Sequence, residues 1–126
     1  MNAIVVRIRY WAPRVMCIAF AAFLSLFALD VFTMPLGPGE KAVALAMHLI
    51  PTAIVLVTLL VVWRWEWIGA LAFPALAVYH LVSFWERRMD WSGYAVIEVP
   101  LVLLGVLFLL SWRDRQAAVR QARAAG

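Results

Sequence analysis

Four residues set within apolar sequence have side chains able to move protons or bind metals: Asp30, His48, His80 and Glu98. Counted at ~1.5 Å per helical residue, Asp30 lies ~7 Å from the turn at Pro35 and His48 ~12 Å past Glu40. His80 and Glu98 each lie ~9 Å from the charged stretch between them. The four therefore share one depth, one on each of four apolar stretches. A carboxylate beside an imidazole can relay protons, because burial and charge draw the two protonation equilibria towards neutrality. The same groups suit a divalent metal. His48 and His80 alone form a candidate axial pair for a b-type haem, with Arg87 or Arg88 near its propionates. No His-x-x-x-His, Glu-x-x-His or cysteine pair is present, and Cys17 stands alone. The plainer alternative is a layer of polar side chains that hydrogen-bond across the helices and fix their register. No cofactor is predicted outright.

The elements that must position these residues follow from composition. Of the 126 residues 67% are hydrophobic and only 14% charged, far from the balance of a soluble domain. That excludes a soluble enzyme, a disordered chain and a nucleic-acid-binding domain. A membrane span needs about 20 apolar residues, and four stretches qualify: residues 13–34, 41–63, 67–85 and 93–112. Their apolar residues run all the way round a helix. Pro35-Leu36-Gly37-Pro38-Gly39 breaks the first from the second. Arg64-Trp65-Glu66 is the polar minimum of a tight hairpin, and Glu86-Arg87-Arg88-Met89-Asp90 is the third connection. The first stretch is longer than a signal-peptide core and lacks a small-x-small cleavage site, so it is expected to be retained. Pro51, Pro74 and Pro100 each remove one backbone donor inside a span.

Charge gives the orientation. With four spans, Arg7, Arg9, Arg14, Arg64, Arg113, Arg115, Arg120 and Arg123 share one side, eight of the eleven basic residues. The positive-inside rule places that side, and both termini, in the cytoplasm. All seven tryptophans fall at span ends, where the indole suits the headgroup region. Arg113, Arg115, Arg120 and Arg123, in the basic tail 113–126, are the expected lipid-headgroup contacts. That tail is read as a continuation of the fourth helix.

Several segments carry a family likeness: Leu26-Phe27-Ala28-Leu29-Asp30-Val31-Phe32, His48-Leu49-Ile50-Pro51-Thr52, Trp63-Arg64-Trp65-Glu66-Trp67-Ile68-Gly69, and Pro100 to Trp112. Over about residues 14–113 the chain resembles a family of small prokaryotic four-span membrane proteins that carries only a domain-of-unknown-function label. The resemblance implies four helices and a retained first span, and supplies no substrate, cofactor or catalytic residue. The sequence thus predicts a single all-α membrane domain over residues 1–126, an up-down-up-down four-helix bundle of the cytoplasmic membrane. The leading expectation is a non-enzymatic component, either a homo-oligomer or an accessory subunit of a larger membrane complex, in contact with lipid and not with nucleic acid. The alternatives are a small proton- or ion-coupled transporter using Asp30, His48, His80 and Glu98, and a haem- or metal-binding electron carrier using His48 and His80.

Overall fold

The computed structural model of the protein describes residues 2–87 and 90–126; Arg88, counted above among the cations, lies outside them. All regular structure among the described residues is helical. Helix α1 covers Ala3–Leu26 and tightens into a 3-10 segment, Phe27–Thr33. Helix α2 covers Pro38–Arg64, α3 covers Glu66–Phe84 with a short 3-10 turn Trp85–Arg87, and α4 covers Trp91–Ala125. Each of the four is long and apolar enough to cross a membrane.

The helix ends follow local chemistry. Asn2 Oδ1 accepts from the Ile4 N–H at 3.1 Å and caps α1. Pro38 opens α2, where its missing donor costs nothing, and Glu40 Oε2 accepts from the Gly37 N–H at 3.2 Å. Trp65 alone, at φ −125° and ψ 82°, separates α2 from α3. In the 3-10 segment three residues make a turn, so Ala28 and Val31 stand in one row and both are buried. The prolines at 13, 51, 74 and 100 all lie inside helices that continue through them.

One core is shared by four helices: Cys17, Phe20, Ala21 and Leu24 of α1; Val55, Leu59 and Val62 of α2; Phe73 and Ala77 of α3; Leu101, Leu104 and Phe108 of α4. Each helix packs its backbone against two others in the ring α1–α2–α3–α4, and among the described residues the backbones do not approach closely across the diagonal. Directions alternate: the start of α1 meets the end of α2 through Trp11 and Trp63, ring centroids 6.2 Å apart. The α3–α4 pair packs most extensively. A methyl group on Gly105 would stand 2.6 Å from Pro74 Cγ, and one on Gly69 2.8 Å from Phe108 Cγ. Only hydrogen fits at either place, and the approach lets Phe73 and Phe108 stack nearly parallel at 5.6 Å. The outer faces of the apolar stretches expose large hydrophobic side chains; Leu60, Leu71, Val82 and Val43 are all more than 60% exposed. Such a surface is suited to hydrocarbon rather than water.

Helix length sets the scale. The 19 residues of α3 rise about 29 Å, close to the thickness of a bilayer's hydrocarbon core. The 35 residues of α4 rise about 52 Å, so α4 runs on well past the α2–α3 hairpin. Helix α1 begins on that same side of the hairpin.

Candidate functional site

Two polar clusters interrupt the apolar interior, one towards each end of α3. At the end near Phe84, the core stripe of α3 (Phe73, Ala77) reaches His80 after one further helical step. The stripe of α4 (Leu101, Leu104, Phe108) begins one step after Glu98. His80 Nδ1 and Glu98 Oε1 are 2.7 Å apart, and each side chain is 18% exposed. Phe84 packs on the imidazole at 4.7 Å between centroids, and Tyr94 meets it edge-on at 6.4 Å. The Tyr94 hydroxyl donates to the Phe84 carbonyl at 2.6 Å, tying the start of α4 to the end of α3. Arg87 stands over the Phe84 ring at 5.1 Å. An imidazole that donates Nδ1–H to a carboxylate carries its lone pair on Nε2, the form that takes up a proton or binds a metal.

Of the four residues singled out by depth, the structure brings these two into contact. His48 Nδ1 pairs with the Ala44 carbonyl of its own helix at 2.8 Å. Asp30 is exposed on the 3-10 segment, and its backbone carbonyl accepts from Thr33 Oγ1 at 2.7 Å. No group of three or more His, Cys, Asp or Glu side chains is placed to hold a metal ion among the described residues.

The second cluster lies at the hairpin end and was not anticipated as a site. Glu66 Oε1 accepts from Arg14 Nη2 at 2.7 Å, from Ser111 Oγ at 3.1 Å and from Arg115 Nη2 at 3.4 Å. Arg14 is fully buried and the Glu66 side chain is 1% exposed. The guanidinium carbon of Arg14 lies over the Tyr10 ring, 3.6 Å from its centroid, with Trp63 at 5.4 Å and Phe108 at 6.0 Å, and Nη1 donates to the Tyr10 carbonyl. Arg14 Nε and Glu66 Oε2 are buried with no hydrogen-bond partner among the described residues. Just beyond, Arg9 Nε pairs with Asp114 Oδ2 at 3.1 Å and joins α1 to α4 again.

Arg14 and Glu66 read in the sequence as a topology signal and a hairpin residue, and the structure adds a buried contact that neither reading included. A signal for it existed. Arg14 falls three residues before Cys17, Glu66 three before Gly69 and Ser111 three after Phe108, each in phase with its helix's buried stripe. Arg115, expected at the lipid headgroups, reaches inward to Glu66 while half its side chain stays exposed. Arg113, Arg120 and Arg123 are exposed. Glu66 and His80 stand 14 residues apart on α3, about 21 Å, and the space between them is filled by Phe73, Ala77, Leu101, Leu104 and Phe108.

Residues 1–120 match a protein family described as Domain of unknown function (DUF7670). No curated protein and no solved structure matches the chain.

Proposed function

We propose a role for this protein from the premise that it belongs to the DUF7670 family: it is a multi-pass, non-enzymatic component of a larger assembly in the cytoplasmic membrane. Both termini and the hairpin face the cytoplasm, in line with the arginines gathered at that end. The observation that carries this reading is the separation of the two polar clusters by an apolar core about 21 Å long, closed by stacked Phe73 and Phe108. An ion path or a pocket for a polar substrate needs polar groups along its length. Here the interior is filled, and the outer faces of the helices are the surfaces left for function. The test is purification of the tagged chain from its native membrane in mild detergent. A stoichiometric partner protein or a defined homo-oligomer is the expected result, and a monodisperse monomer would overturn the reading. Cysteines placed at Gln121 and Gly39 test orientation: only the first should be shielded from an impermeant reagent in right-side-out vesicles.

A second reading rests on the His80–Glu98 pair, short and partly open, as an ion or proton site near the non-cytoplasmic face, with Asp30 and His48 as its neighbours in depth. It predicts a proton-dependent flux in liposomes that Glu98→Gln abolishes while the fold survives. Equal flux from the variant and the parent would remove it.

A further inference from the structure

Helix α1 presents an exposed apolar stripe that crosses from bilayer to cytoplasm. Ile4, Ile8, Trp11, Val15 and Ile18 are spaced four, three, four and three residues apart, and all are between 46% and 65% exposed. That 3.5-residue period is the seam of a helix built to pack lengthwise against another helix. Within hydrocarbon an apolar stripe needs no partner. The first part of this one lies elsewhere. Arg14 shares the level of Glu66, the hairpin edge of the 29 Å slab that α3 defines. Ile8 and Ile4 lie about 9 Å and 15 Å further out, past a headgroup layer only about 5–8 Å deep. Two exposed isoleucines there face water. The family match covers residues 1–120, so these turns lie within the matched region.

Charge narrows the partner. Arg7 sits directly beside the stripe, between Ile4 and Ile8 in the register, where a partner helix would carry its flanking charges. Arg113, Arg120 and Arg123 stand exposed on α4, the neighbour of α1, with Arg120 and Arg123 about 13 Å and 18 Å beyond Ser111. The two acidic groups at this end, Glu66 and Asp114, are already engaged. No acidic residue precedes Asp30 and none follows Asp114. A second copy packed in parallel would therefore bring arginine to the seam and no counter-charge. Anionic lipid satisfies charge only near the surface, since its field fades within about 8 Å at physiological salt.

We propose that the outer face of α1 docks a membrane helix of a different protein, one that is apolar through the bilayer and acidic in the turns just outside it on the cytoplasmic side. This rests on the membrane-assembly reading above. The test uses the full chain in phosphatidylcholine bicelles, labelled with a donor fluorophore at Ala3→Cys; Cys17 is buried and shielded from the reagent. The probe is an acceptor-labelled synthetic span of about 20 leucine and alanine residues carrying glutamates on the turn beyond one end. Saturable energy transfer is expected, weakened by high salt and roughly tenfold weaker in the Ile4→Ser/Ile8→Ser double variant. Equal transfer to the same peptide with lysines in place of glutamates would overturn the proposal, because only apolar adhesion would be at work. Loss of transfer on adding phosphatidylglycerol would assign the surface to lipid headgroups. Equally strong transfer between two differently labelled copies of the chain would assign it to self-association. Alkaline extraction of the native membrane separates the two levels: a chain released by alkali loses the membrane reading itself, whereas a retained chain that ignores the acidic peptide loses only the docking surface.

Discussion

The two polar clusters differ in how many elements hold them and how dry they are. At the hairpin end, Arg14 of α1, Glu66 of α3 and Ser111 and Arg115 of α4 meet on one carboxylate oxygen, and Trp63 of α2 closes the ring of contacts. The ion pair at its centre is closed to solvent. At the other end, His80 and Glu98 join α3 to α4 alone and stay partly exposed. The difference teaches where each charge's alternatives lie. His80 and Glu98 can exchange each other for water, so their pairing is cheap to break and open to chemistry. Arg14 and Glu66 have no such exchange. Desolvation makes the pair's net contribution small, but each partner is indispensable while the other remains. The first cluster therefore clamps the helices, and the second is the better place to look for a reaction.

The sharpest way to break that comparison is to leave one buried charge alone. Glu66→Ala strands the Arg14 guanidinium beneath Tyr10 and is expected to cost about 3–5 kcal/mol, enough to unfold or aggregate the protein in detergent. Thermal unfolding followed by circular dichroism measures it. The double variant Arg14→Met/Glu66→Met removes both charges and should recover most of the lost stability. If it is as unstable as the single variant, the cluster does more than balance two charges. A smaller effect is expected between the clusters. Gly105→Ala drives a methyl group into the Pro74 ring, and the required shift of α4 against α3 should cost about 1–3 kcal/mol by the same assay. The smallest loss is expected at the open end. Glu98→Gln keeps the shape and removes the carboxylate charge from a partly solvated hydrogen-bonded pair, so the change should be about 1 kcal/mol or less. A loss as large as that of Glu66→Ala would erase the distinction between the two ends.

The helices were legible in the sequence because hydrophobic length and the breaks at Pro35–Gly39 and Arg64–Glu66 report on chain segments directly. Depth was legible too: counting from the turns puts His80 and Glu98 at one level, and they touch. Facing was not. Depth alone gives Asp30 and His48 the same standing, yet Asp30 sits off the buried stripe of α1 on an exposed row, and the His48 imidazole is occupied by its own backbone. The Arg14–Glu66 pair was hidden for a different reason. Charges at the margins of apolar segments are ordinary, and orientation rules account for them without a contact. Their burial depends on α1 and α4 continuing past the hairpin and covering its edge, which is a property of assembled helices rather than of any one segment.

The same pairing sets a timetable. Arg14 and Glu66 are separated by 52 positions, and ribosomes add roughly 5–20 residues per second. For about 3–10 s after Arg14 is made, its counter-ion does not yet exist. Over that interval, in the membrane setting proposed above, the first helix would carry an unneutralised guanidinium with the Tyr10 ring against it. Its final seat becomes available only when the third helix arrives, and Ser111 and Arg115 close over it later still. Locking of the bundle is thus paced from its middle: α1 gains its buried counter-ion only once α3 has been made, and the cluster closes with α4.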